Sequence, residues 1–90
     1  MTRIPSHPGE ILKDELEARE ISMNQFAKSL KVPTGRISQI LAGKRSITPD
    51  TAIRLGHYLG TSAEVWMNLQ TQYDLALARQ KLQNELKQAS

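Results

Sequence analysis

Thr34, Arg36, Ser38 and Gln39 are four hydrogen-bonding side chains crowded into one short stretch, VPTGRISQILAGKR, from Val32 to Arg45. Gln and Arg each find bidentate partners on base edges in a major groove, and Ser or Thr suits either base pair. At helical spacing, Ile37, Ile40 and Leu41 turn inward. That leaves Thr34, Gly35, Ser38, Gln39 and Ala42 facing outward, with Arg36 at the margin. The outward face holds no acid and no bulky group. A core helix would carry more apolar residues, and a merely solvated one more Glu and Lys. A face this small and polar suits a helix against which a large surface must lie. Lys44 and Arg45 follow directly, where a loop can grip phosphates and so position the helix without reading sequence.

Other chemistry finds little support. His7 and His57 have no spaced partner, and no Glu-x-x-His pattern occurs. Cysteine is absent, which excludes disulfides, thiolate metal sites and a thiol nucleophile. No glycine-rich phosphate loop is present, and the five glycines read as helix ends or close packing. Trp66 and Tyr73, at helical spacing, read as core. Neither catalytic residues nor a metal or cofactor is expected.

Ninety residues make one domain, 1–90, with a core over about 8–77 and a helical extension over about 78–90. The net charge is only +3, but it is unevenly spread. Residues 1–20 carry three basic side chains, Arg3 among them, against five acids. Residues 21–60 carry six against one, and residues 61–90 balance at three and three. The positive charge thus sits around the opening stretch, as expected for a polyanion partner. No apolar run approaches the ~18 residues of a membrane span, and the first ten residues lack a signal-peptide core. The chain reads as soluble and cytoplasmic.

The elements that must hold this face are helices. The pattern predicts an all-α fold of five helices, with no strand. The first runs from about Pro8 to Arg19, with Pro at a first-turn position and Ile11, Leu12 and Leu16 inward. The second starts at Ser22, which has Gln25 at capping-box spacing and Ile21 and Phe26 as a hydrophobic staple. The third spans about Thr34 to Leu41 and stops at Gly43. The fourth follows the Thr48 cap and is expected to bury Ala52, Ile53, Leu55, Gly56 and Leu59. Thr61 and Glu64 stand at capping-box spacing for the fifth. The small Ala27 allows the second and third helices to cross closely, as a helix-turn-helix requires.

The fifth helix carries two apolar stripes. Trp66, Leu69, Tyr73 and Leu77 share one face, which turns polar at Gln80, Asn84 and Lys87. Leu75, Ala78, Leu82 and Leu86 lie roughly opposite, by the ~100° step of a helix. One small core cannot bury both. The first stripe is expected to close the domain. The second needs another chain, or belongs to a weakly folded tail, and Leu75, Leu82 and Leu86 are the candidate dimer surface.

The segment ISMNQFAKSLKVPTGRISQILAGKRSITPDTAIRLGHYLG resembles the Cro/repressor type of helix-turn-helix domain, a lambda-repressor-like fold. HPGEILKDEL before it and TSAEVWMNLQTQYDL after it narrow the resemblance to the HigA family of bacterial antitoxins. The resemblance covers about His7 to Leu77. It implies a homodimer that binds double-stranded operator DNA at a palindrome in its own promoter. It also implies neutralisation of a HigB-type toxin, an mRNA-cleaving ribonuclease. Such a toxin is expected to be basic, which makes Glu10, Asp14 and Glu17 the candidate toxin contacts, although a solvated face is the ordinary reading of these acids.

Two positions depart from the family pattern. Lys31 stands in the turn where glycine is usual, and Met23 stands where a polar side chain usually touches phosphate. Met23 cannot make that contact. Ser22 and the N–H groups beside it can, and Lys31 is close enough to the third helix to reach a phosphate. The base-reading candidates are therefore Thr34, Arg36, Ser38 and Gln39, and the phosphate candidates are Ser22, Lys31, Lys44 and Arg45. Two alternatives stay open: a stand-alone transcription regulator without a toxin, and a protein-interaction bundle that never touches DNA.

Overall fold

Five α-helices follow one another in the computed structural model, which describes residues 5–89. They are α1 (Pro8–Ala18), α2 (Met23–Leu30), α3 (Thr34–Leu41), α4 (Pro49–Leu59) and α5 (Ala63–Ala89). Arg3 lies outside the described residues, and no strand occurs among them.

The helix starts show which side chains satisfy the free N–H groups. At α2 the capping box forms: Ser22 Oγ accepts from the Gln25 N–H at 3.2 Å, and Gln25 Oε1 accepts from the Ser22 N–H at 3.5 Å. Ile21 packs partly on the core to which the fully buried Phe26 belongs, as a staple between them requires. Thr48 Oγ1 accepts from the Thr51 N–H at the start of α4, with Pro49 in the first turn. At α5 the predicted pair is displaced by one residue. Ser62 Oγ, not Thr61, accepts from the Val65 N–H at 3.2 Å. The Thr61 hydroxyl is taken by Trp66 Nε1 at 2.9 Å, so the buried indole claims the hydroxyl the cap was expected to use.

Four helix ends share one device. The N–H of Ile21, Val32, Lys44 and Thr61 each reaches back five residues, to the carbonyls of Leu16, Ala27, Gln39 and Gly56. This bond forces the residue before it into the left-handed region. Those residues are Glu20 (φ 55°), Lys31 (φ 60°), Gly43 (φ 74°) and Gly60 (φ 77°). Two of the four are not glycine. At both of these, a partly or fully buried apolar residue follows, Ile21 or Val32, and anchors the chain as it leaves the helix.

The core unites all five helices: Leu12 and Leu16, Phe26, Ala27 and Leu30, Ile37 and Ile40, Ala52 and Leu55, and Trp66. Ala27 is fully buried on α2, which packs against α3. Gly9 serves another close approach, since a Cβ there would overlap the carbonyl of Ile40 and push α1 off the last turn of α3. Gly35 is the exception among the glycines. It neither ends a helix nor packs closely, and a Cβ there would meet nothing within 4 Å.

Two expected core residues are exposed. Ile53 is 62% accessible, because one ~100° step past Ala52 carries it off the buried side of α4. Thr51 is buried instead. Leu77 is 40% accessible, because α5 has by then run past the other four helices. Every described residue from 77 to 87 is exposed, yet the helix continues unbroken to Ala89, so the second stripe lies on an ordered helix rather than an unfolded tail. The helix is roughly 40 Å long by its rise per residue, which accounts for a molecule 51 Å long and 22 Å wide.

Candidate nucleic-acid interface

The outward side of α3 is built as its spacing requires. Ile37 and Ile40 are fully buried and Leu41 is half-buried, which fixes the helix by its inner side. Thr34, Gly35, Ser38, Gln39 and Ala42 are all exposed. Arg36 is half-buried at the margin. Its side chain lines a shallow depression of about 330 Å³ together with Arg45, Ser46, Thr48, Asp50 and Thr51. The structure therefore brings a base-reading candidate and a phosphate candidate to one concavity beside the recognition face.

The remaining phosphate candidates lie around it. Lys44 is exposed in the loop after α3, just past the left-handed Gly43. Ser22 is exposed at the start of α2, with its hydroxyl engaged by Gln25. Met23 packs partly against the core, as its apolar side chain dictates. Lys31 is exposed but lines a different depression, of about 400 Å³, with Ser29, Leu30, Ile53, Arg54, His57 and Tyr58. The two concavities meet at an ion pair: Asp50 lines the first and Arg54 the second, and Arg54 Nε donates to Asp50 Oδ2 at 2.9 Å.

Sequence reasoning passed over Asp50 and Arg54 as members of this surface. Their signal was legible, an acid and an arginine four apart on a helix. It also passed over Ser46, whose only mark is its place between Arg45 and the buried Ile47.

The other candidates occupy separate surfaces. Glu10, Asp14 and Glu17 are exposed along α1 at spacings of four and three, on one side of the helix. Glu15 is instead taken up by Arg19 at 3.1 Å. Leu75, Leu82 and Leu86 are 45%, 55% and 62% accessible on the distal part of α5. A second apolar surface accompanies them: Ile53, with Pro49, Ala63 and Met67, borders a groove between α4 and α5. Among the described residues no group of His, Cys, Asp and Glu could hold a metal ion, and no helix is long and apolar enough to cross a membrane.

This arrangement has relatives. A helix-turn-helix family model matches residues 12–66, from within α1 into the first turn of α5. Antitoxin HigA-1 of Vibrio cholerae is 35% identical over 86 residues, spanning 94% of this chain and 81% of that protein. A HigA-family addiction-module antidote protein from Coxiella burnetii superposes with a TM-score of 0.87 at 46% identity, covering 98% of this chain and 97% of the other. The chain belongs to the HigA family of helix-turn-helix proteins. Antitoxin HigA of Pseudomonas aeruginosa, solved with the higBA promoter, superposes with a TM-score of 0.87 at 45% identity, covering 93% of this chain and 92% of the other. Within a helix-turn-helix, the second helix of the motif enters the major groove. In this member that helix is α3.

Proposed function

We propose that the chain is a cytoplasmic antitoxin that represses its own promoter as a homodimer and neutralises a HigB-type, mRNA-cleaving toxin. It forms a single domain over 1–90, extended by the helix from about residue 78. The observation that carries the DNA half is the exposed side of α3. It holds five small or polar residues and no acid, anchored from beneath by Ile37 and Ile40 and flanked by Arg36, Lys44 and Arg45. Thr34, Arg36, Ser38 and Gln39 read base edges. Ser22, Lys31, Lys44 and Arg45 hold phosphates. The relative solved with its promoter supports the DNA half of this reading.

The toxin half rests on family membership and on the acidic side of α1. A ribonuclease must attract RNA and is basic for that reason. Glu10, Asp14 and Glu17 offer it a complementary face, which speeds encounter more than it deepens affinity. Dimerisation places two copies of α3 in successive major grooves, with half-sites about one turn, roughly 10 bp, apart.

A salt-dependent shift of a duplex from the region upstream of its own gene tests the DNA half. Failure to shift it at low salt returns the chain to a protein-interaction bundle. Charge reversal at Glu10, Asp14 and Glu17 tests the other half. Slower association with a HigB-type toxin, with DNA binding kept, is the expected result. Unchanged association at low salt removes α1 from that interface. A genome with no small basic ribonuclease gene beside this one leaves a stand-alone regulator.

A further inference from the structure

Arg54 projects from the middle of α4, half-exposed, and serves two acceptors at once. Its Nε donates to Asp50 Oδ2 at 2.9 Å, and its Nη1 donates to the carbonyl of Leu30, also at 2.9 Å. Leu30 is the last residue of α2, and its carbonyl belongs to the peptide that leads into Lys31. Lys31 sits at φ 60°, a conformation its Cβ disfavours. The turn is held there by the Val32 N–H bond to Ala27 on one side and by Arg54 on the other. Asp50 is the acid that lines the depression with Arg36 and Arg45. Left unpaired, its charge would face the same phosphates those arginines attract.

We infer that Arg54 is a positioning residue for DNA binding: through the Leu30 carbonyl and the Asp50 carboxylate, it fixes the Lys31 turn before α3 against the helix start after α3, and it neutralises the acid of that face. The inference rests on the DNA-binding reading above. A guanidinium suits the task because its planar fork aims several N–H groups in set directions. A lysine at this position keeps the charge and loses the fork.

The test is a double-mutant cycle on DNA binding, using a duplex from the region upstream of the chain's own gene and an unrelated duplex of equal length, over a series of salt concentrations. Arg54→Ala is expected to weaken operator binding on the order of tenfold, in the range of the interaction energies found within one network, and to lower the salt slope by about one phosphate contact. Lys31→Ala lowers the slope by the same step. On an Asp50→Asn background, where no unpaired acid adds its own repulsion, the double variant Lys31→Ala/Arg54→Ala is expected to fall no further in slope than either single variant, because the second change removes a contact already lost. Arg54→Lys should recover only part of the affinity, and Asp50→Asn should restore part of it on the Arg54→Ala background. Thermal melts keep every comparison at temperatures where the protein is folded. If Arg54→Ala does not fold, Arg54→Lys enters the same cycle with Lys31→Ala. Strict additivity, with the slope falling by two steps, makes Arg54 a direct phosphate contact and overturns the inference, as does an Arg54→Lys protein that binds like the wild type. A wild-type protein that shifts neither duplex overturns the DNA reading itself, and this inference with it.

Discussion

The imidazole of His7 meets the ring of Tyr73 edge-on, with centroids 4.9 Å apart and planes at 78°. The same imidazole caps α1, its Nδ1 accepting from the Gly9 N–H at 2.9 Å. Its ring also lies below Gly43, where α3 has ended. One buried side chain thus joins the start of α1 to α5 beside the exit from the recognition helix. A lost cap costs about 1 kcal/mol, and an aromatic pair contributes about 0.5–1.5 kcal/mol beyond its buried area. His7→Ala is expected to lose both, and His7→Asn, which can still cap, only the second. Urea unfolding of the two variants checks this. Two equal losses would mean that the cap contributes nothing.

On the proposed DNA face, base-reading and phosphate-holding residues are expected to respond differently to substitution. Thr34→Ala and Gln39→Ala are each expected to weaken operator binding by ~1–3 kcal/mol and to relax preference at particular bases. Lys44→Ala and Arg45→Ala should weaken all duplexes alike and lower the salt slope by about one contact each. Binding isotherms on operator and unrelated duplexes separate the two patterns. A Lys44 variant with altered base preference, beside a Gln39 variant without it, reverses the assignment.

Gly35 tests whether DNA lies against α3. In the free protein a Cβ there meets nothing within 4 Å, and glycine within a helix is less stable than alanine by roughly 0.5–1 kcal/mol. Gly35→Ala is therefore expected to raise the melting temperature while weakening operator binding, because the new methyl group stands where the duplex must approach. Higher stability with unchanged affinity would place the duplex away from this part of α3.

Most of this surface was legible in the sequence because it is local. Helix periodicity fixed α3 from Thr34 to Leu41 and sorted Ile37 and Ile40 from Ser38 and Gln39. The Ser22 cap needed only residues three apart. What escaped depends on contacts across the chain. Nothing near His7 announces Tyr73, 66 residues away. Nothing near Gln70 announces that its Oε1 accepts from the N–H of Ile47, at 2.8 Å. The Arg54 bond to Leu30 is of the same kind. Ile53 misled because an apolar residue beside a buried one looks buried until the helix phase is set by its neighbours. Thr61 misled because its hydroxyl had a competing donor in Trp66.

Two apolar surfaces are candidates to hold a second copy in the proposed dimer. Leu82 and Leu86 lie on the part of α5 that has outrun the domain, and Ile53 borders the groove between α4 and α5. Ile53 also stands one turn from Asp50, on the helix whose start lines the Arg36 depression. Burying a leucine or isoleucine contributes about 1.5–3 kcal/mol, so a glutamate at the true interface should dissociate the dimer. Sedimentation of Leu82→Glu and Ile53→Glu identifies the surface. If Leu82→Glu forms a dimer as stable as the wild type, the distal stripe is excluded.

Glu20 and Lys31 occupy matching positions, each left-handed at the end of a helix and each followed by an apolar anchor. A side chain with a Cβ costs roughly 1 kcal/mol there, and glycine relieves it, less what the more flexible unfolded chain gains. Glu20→Gly and Lys31→Gly should therefore stabilise the protein by similar amounts, up to about 1 kcal/mol. Their effects on DNA should differ. Glu20 follows the end of α1, two residues before Ser22, and carries an acid rather than a cation, so its replacement is expected not to weaken operator binding. Lys31 precedes α3, and its loss should lower both affinity and salt slope by about one phosphate contact. The pair controls for the backbone, since both variants relieve the same strain and only one removes a cation beside DNA. Thermal melts and salt-dependent isotherms on both variants check this. Equal stabilisation with equal operator affinity would leave Lys31 a strained turn residue with no part in holding the duplex.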